Sequence, residues 1–242
     1  MSLLELSRIP LLFLAIASYL LATNRPQSAP SQEEQARSTG GKRRSLVDRA
    51  MFVLLPTGRT LATYTLLSEA VVSYARATPS TQWSNRILTF LCPEQGSATP
   101  IYITPVFVAG IALTIIGGAI RVACLRELGD LFTYELSIRD KHRLITTGPY
   151  AIVRHPSYTG IALIQVGVTI CELTAGSWWT EAKVISTVVG KVTAVIWTGG
   201  SMYVFLTMLR AKKEDAMLRE VFGAEWEEYA RRVPRRYIPG LV

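Results

Sequence analysis

Between Gly148 and Gly160 the chain reads Gly-Pro-Tyr-Ala-Ile-Val-Arg-His-Pro-Ser-Tyr-Thr-Gly, crowding an Arg-His pair, a serine and two tyrosines into one short stretch. Guanidinium, imidazole, hydroxyl and phenol groups this close together can hold a polar ligand by several hydrogen bonds at once. Gly148-Pro149 signals a turn. Pro156 pushes His155 away from helical geometry and itself suits the first turn of a following helix, where its missing N–H costs nothing. The polar groups therefore sit on irregular backbone just ahead of an apolar helix. The competing reading is a loop at a membrane interface, where Tyr, Arg and His also collect. A second cluster, Arg210, Glu214 and Asp215, stands where another uncharged run ends. Arg210 and Glu214 are four residues apart and share a helix face, where an ion pair alone contributes only about 0.3–0.5 kcal/mol. Metal chemistry finds no support: the 2 histidines and the widely separated Cys92, Cys124 and Cys171 form neither a ligand set nor a disulfide framework.

The elements that must position these clusters are hydrophobic. Of the 242 residues 49% are hydrophobic and only 18% charged. Soluble domains carry about a quarter charged residues, so the balance predicts an all-α polytopic membrane protein with about five transmembrane helices. The net charge of +8 invites a nucleic-acid reading. The basic residues, however, fall in separate clusters between uncharged runs, with no repeated aromatic-basic platform, which argues against it.

The first predicted span runs from Ile9 to Asn24. A signal peptide cleaved near Ala15-Ile16-Ala17 is the alternative, but the apolar run continues past that point. Residues 24–49 are rich in Ser, Gln, Gly, Pro and charge and read as a mobile loop. The segment from Ala50 to Ala75 holds Pro56, Arg59 and Glu69. It either lies in the interface or crosses with Arg59 and Glu69 turned toward protein or water. From Gln95 to Ile120 there are 26 uncharged residues, with Gly110, Thr114 and Gly118 recurring every four positions as a small, packing face. Two more spans follow, one starting at Pro156 and one from about Val184 to Leu209. Lys and Arg number one before the first span, then six, two, five, one and eight in the successive connections and tail. That alternation is what the positive-inside rule asks of five crossings, and it puts the 148–160 loop and the C-terminal tail together on the cytosolic face. In the tail, Leu218, Val221, Phe222, Trp226 and Tyr229 keep helical spacing, and Gly223 marks a break.

The ordered blocks His142-Arg143-Leu144-Ile145-Thr146-Thr147-Gly148-Pro149-Tyr150, Arg154-His155-Pro156-Ser157-Tyr158-Thr159-Gly160, Arg210-x-x-x-Glu214-Asp215 and Phe222-Gly223-x-x-Trp226-x-x-Tyr229-x-x-x-Val233-Pro234 resemble the isoprenylcysteine carboxyl methyltransferase family. The resemblance runs from roughly Leu128 to the C-terminus. It implies residues 1–125 as N-terminal membrane helices and 126–242 as a methyltransferase core, in a multi-pass protein of the endoplasmic reticulum membrane. The implied activity is methylation of the C-terminal carboxylate of a prenylated (farnesyl- or geranylgeranyl-) cysteine in CaaX-type proteins, with S-adenosyl-L-methionine as cofactor. The partners would be prenylated protein C-termini and membrane lipid, with no nucleic acid and no metal. By position, His142, Arg143, Leu144, Ile145, Tyr150, His155, Pro156, Ser157, Tyr158 and Glu214 would contact the cofactor, and Arg210 the substrate carboxylate as the catalytic residue. This chain departs from the family in three places: Arg143-Leu144-Ile145 replaces Thr-Leu-Val, Asp215 replaces the second acid of a Glu-Glu pair, and a cofactor-contacting glutamine has only Ser137 near its place.

A carboxylate is already ionised near neutral pH, so its methylation needs no general base. What such an enzyme must supply is alignment and desolvation, which suits a guanidinium at Arg210 and gives His155 a hydrogen-bonding role rather than a basic one. A phospholipid N-methyltransferase is the nearest alternative. Its amine substrate must lose a proton before attack, which asks for a base near the methyl group. A sterol reductase, resembling only the C-terminal part, and a non-enzymatic membrane scaffold are the more distant ones.

Overall fold

A computed structural model describes residues 3–24, 46–79, 81–92, 101–132 and 143–240. The described residues contain helices and turns and no strand. The longer helices are α1 (Leu3–Thr23), α2 (Leu46–Ala77), α3 (Gln82–Leu91), α4 (Pro105–Leu128), α5 (Pro156–Leu173), α6 (Val188–Met208), α7 (Ala211–Phe222) and α8 (Ala224–Arg232). Most of the mobile loop expected at 24–49 lies outside the described residues, as do His142 and Ser137.

Local chemistry sets the ends of these helices. Thr104 accepts a hydrogen bond from the Phe107 N–H and Pro105 takes the first position of α4, satisfying or removing amides that the first turn leaves unpaired. Pro156 does the same for α5, and His155 before it is non-helical (φ −127°, ψ 56°). Gly223, with φ +51°, ends α7 and starts α8 at the break read from the sequence.

Four stretches among the described residues are long and apolar enough to cross a membrane: Leu6–Thr23, Pro105–Leu131, Pro156–Glu181 and Val188–Phe222. α2 is less apolar than these but long enough, ~48 Å at ~1.5 Å rise per residue. It runs the length of the bundle. Leu55 near its start shares a cavity with Thr23 at the end of α1, while Glu69 pairs with Arg8 near the start of α1. Arg8 and Glu69 are both fully buried, so the acid faces protein, and the Arg8 guanidinium also donates to the Tyr102 carbonyl and lies 3.7 Å from the centre of the Phe107 ring. This ionic joint explains how an apolar bundle tolerates a charge in each of two helices.

The core forms where α1, α2, α4 and α5 meet, around Leu12, Leu66, Phe107 and Ile164. α6 lies at the edge of the bundle. Val188, Val192, Val195, Met202 and Phe205 remain exposed along it, an apolar surface suited to lipid. α4 and α5 are the most closely packed pair, because glycines remove the side chains between them. A methyl group on Gly117 would lie 2.6 Å from the Gly160 carbonyl oxygen, and one on Gly167 would lie 2.6 Å from the Gly110 carbonyl oxygen. The small face expected at Gly110, Thr114 and Gly118 is shared between two neighbours. Gly110 and Thr114 meet α5, whereas Gly118 meets Ser18 of α1 and Gly117 takes its place against α5.

Candidate active site

α1, α4 and α6 all run toward one end of the bundle, and α2 and α5 start from it. The 148–160 loop joins this end. Gly148 adopts φ +57° and opens a tight 3-10 turn, Gly148–Ala151, while the Thr147 hydroxyl donates to the Glu127 carboxylate at the end of α4. The turn buries the Tyr150 ring, and the Tyr229 hydroxyl of α8 donates to the Tyr150 carbonyl at 2.9 Å. Burial holds the Tyr150 phenol well above its usual titration range, so this side chain stays neutral and serves as a hydrogen-bonding and packing group.

The tail closes over the loop from the other side. The Nε2–H of His155 donates to Asp215 Oδ1 at 2.9 Å, and its Nδ1 lies 3.6 Å from Glu214 Oε2. The Tyr158 hydroxyl donates to Glu214 Oε2 at 3.2 Å. Asp215, 5% exposed, also accepts from Arg236 Nε at 2.8 Å and from Arg154 Nη2 at 3.3 Å. One buried carboxylate thereby ties together the loop, α7 and the segment beyond α8. Main-chain bonds reinforce it: the Arg154 N–H donates to the Arg235 carbonyl at 2.9 Å and the His155 N–H to the Arg236 carbonyl at 2.8 Å. Thr159 Oγ1 donates to the Tyr237 carbonyl at 2.7 Å, and Arg154 Nη1 to the Val233 carbonyl at 2.8 Å. Residues 233–237 thus form a strap across the loop, and Val233-Pro234 and Ile238-Pro239 favour extended chain there.

Loop and tail enclose a cavity of about 190 Å³. Arg143, Leu144 and Ile145 line it from the approach to the loop, Tyr150, His155, Ser157 and Tyr158 from the loop itself, and Arg210 and Glu214 from the tail. Pro156 is buried beneath, as the first residue of α5, and does not line it. His142 lies outside the described residues. Arg121 of α4, Tyr203 and Thr207 of α6, Leu55 of α2 and Thr23 of α1 complete the wall. Apart from Arg121, whose charge ends an uncharged run, their positions carry no sign of this role, since lining a cavity depends on which helices become neighbours.

The lining offers partners to a ligand that carries both charges. The Glu214 carboxylate can accept from an amino or hydroxyl group, Tyr158 can turn a ring face toward a sulfonium, and Arg143 can meet a carboxylate. Among the described residues no cluster of His, Cys, Asp and Glu forms a metal site.

A probable protein-S-isoprenylcysteine O-methyltransferase of Oryza sativa subsp. japonica is 35% identical over 128 residues, which is 51% of this chain and 56% of the relative. Protein-S-isoprenylcysteine O-methyltransferase B of Arabidopsis thaliana is 32% identical over 129 residues, 52% of this chain and 55% of the relative. The Homo sapiens protein-S-isoprenylcysteine O-methyltransferase is 28% identical over 135 residues, covering 54% of this chain and 41% of the relative. The matched stretch thus spans about half the length of the plant relatives. Residues 110–220, which hold most of α4, the loop, α5, α6 and most of α7, match the Isoprenylcysteine carboxyl methyltransferase (ICMT) family, the family that the four ordered blocks resemble.

Proposed function

We propose that this chain methylates the C-terminal carboxylate of prenylated cysteine in CaaX-type proteins, with S-adenosyl-L-methionine as methyl donor. The observation that carries the reading is the meeting of Arg210 and Glu214 with His155 and Tyr158 around one cavity, within the stretch that matches the family. The methyl donor, when bound, supplies a methyl group on a positively charged sulfur. Glu214, held by the Tyr158 hydroxyl, accepts hydrogen bonds from the donor's polar groups, and the tyrosine rings exclude water. Arg210, at the junction of α6 and α7, holds the prenylcysteine carboxylate by paired hydrogen bonds and sets its line of approach. No proton has to leave this nucleophile. His155 is accordingly not needed as a base. Its Nε2 is committed to Asp215, and the ring acts as a hydrogen-bonding wall.

Lys and Arg concentrate in the connections on the loop's side of the bundle, which supports an active site on the cytosolic face, and the family resemblance implies the endoplasmic reticulum membrane. We assign the N-terminal membrane helices to residues 1–125 and the methyltransferase core, with its own membrane helices α5 and α6, to 126–242, α4 passing from one part into the other. The decisive experiment incubates membranes holding the protein with methyl-labelled S-adenosylmethionine and either N-acetyl-farnesylcysteine or phosphatidylethanolamine. Base-labile label on the prenylcysteine is the expected result. Label in lipid alone, or none, overturns the proposal.

A further inference from the structure

One charged side chain on the cavity wall has no part in the reading above. Arg121 ends the uncharged run of α4, lies about two turns before the end of that helix within the apolar stretch Pro105–Leu131, and is only 8% exposed. A buried arginine in such a helix is costly and persists where it has a specific role. Its Nε donates to the Ala22 carbonyl at 3.1 Å, its Nη1 donates to the Ser157 hydroxyl, and its guanidinium carbon stands 5.4 Å from the centre of the Phe132 ring. These partners come from three separate pieces of chain: the last turn of α1, the first turn of α5 and the turn after α4.

Each contact has a physical reason. The last carbonyls of α1 lack intrahelical partners and carry the negative end of its dipole, so a cation is favoured there. The α4–α5 contact brings Ser157 within reach. A methyl group on Gly160 would lie 3.2 Å from the Arg121 backbone nitrogen, so the start of α5 rests against the backbone from which the guanidinium extends. The planar fork of arginine can then donate in two fixed directions at once. A lysine ammonium offers no such fixed pair.

We propose that Arg121 is a positioning residue of the methyl-donor pocket. It holds the Ser157 hydroxyl, and with it the His155–Tyr158 turn, against the end of α1. α1, which lies outside the matched stretch 110–220, thereby becomes part of the working transferase. The inference rests on the cavity being the donor pocket, and the experiment separates the two.

The full chain is placed in lipid nanodiscs as wild type, Arg121→Met, Arg121→Lys, Ser157→Ala and the Arg121→Met/Ser157→Ala double variant. Binding of S-adenosylhomocysteine is titrated by calorimetry, and KM is measured separately for S-adenosylmethionine and N-acetyl-farnesylcysteine. Loss of a charged hydrogen bond predicts about a tenfold or greater weakening of S-adenosylhomocysteine binding in Arg121→Met, with KM raised for the donor and unchanged for the prenylcysteine. Arg121→Lys stays impaired because it lacks the fork. The double variant is no weaker than Arg121→Met alone, because Ser157 acts through the same joint. If Arg121→Met does not fold, the same comparison is made with Arg121→Lys and an Arg121→Lys/Ser157→Ala pair. Wild-type binding accompanied by unchanged binding in the Arg121 variants, or by additive losses in the double variant, overturns the role of Arg121 alone. Absence of wild-type binding overturns the donor pocket and the inference with it.

Discussion

Replacing Asp215 with alanine should loosen the whole site, because one carboxylate serves three cationic or imidazole groups. It accepts from Arg236 at 2.8 Å, His155 at 2.9 Å and Arg154 at 3.3 Å. The His155 and Arg154 side chains are only 5% and 9% exposed, so solvent replaces the lost partner poorly. Breaking a buried charged pair costs about 3–5 kcal/mol. The Arg236 contact adds little, since that side chain is 36% exposed and such pairs contribute ~0–1 kcal/mol. The loss falls on contacts that hold the 148–160 loop against α7 and the C-terminal strap, while the helices beneath remain packed. If only about 3 kcal/mol of it must be recovered when the loop is ordered around the donor, affinity falls by roughly a hundredfold at 1.4 kcal/mol per tenfold. Calorimetric titration of S-adenosylhomocysteine into nanodisc-embedded Asp215→Ala measures this directly, and Asp215→Asn separates shape from charge. Affinity within twofold of wild type in Asp215→Ala would refute the view that this carboxylate organises the loop.

Arg210→Ala should abolish methyl transfer to N-acetyl-farnesylcysteine while the protein stays folded in the membrane; undiminished turnover contradicts the assignment of the substrate carboxylate to this residue. Glu214→Ala should weaken S-adenosylhomocysteine binding by calorimetry, and unchanged affinity counts against its contact with the donor. Gly117→Leu should force α4 and α5 apart, because even its Cβ would lie 2.6 Å from the Gly160 carbonyl oxygen and 2.8 Å from the Ile164 nitrogen. The expected readout is a large drop in thermal unfolding temperature, set against no drop for Gly199→Ala, where a Cβ meets nothing within 4 Å.

Much of this architecture is legible in one dimension because its causes are local. Long uncharged runs require helices in an apolar phase, and the alternating count of Lys and Arg orders them. Pro156 and Gly223 mark a helix start and a helix break through backbone restrictions that each residue carries with it. The blocks from His142 to Gly160 and from Arg210 to Pro234 carry the family resemblance for the same reason: their spacing is a property of contiguous sequence.

Tertiary structure decided which charges meet. Arg8 and Glu69 are 61 positions apart, Arg121 and Ala22 are 99, and His155 and Asp215 are 60. No periodicity links such residues. A buried charge takes whatever partner the packed helices bring near, because leaving it unpaired in an apolar interior costs more than any local preference can offset. The sequence therefore determined the helices, their order and the two clusters able to do chemistry. Packing of α1 against α4 and of the strap against the loop decided how those clusters close into one site.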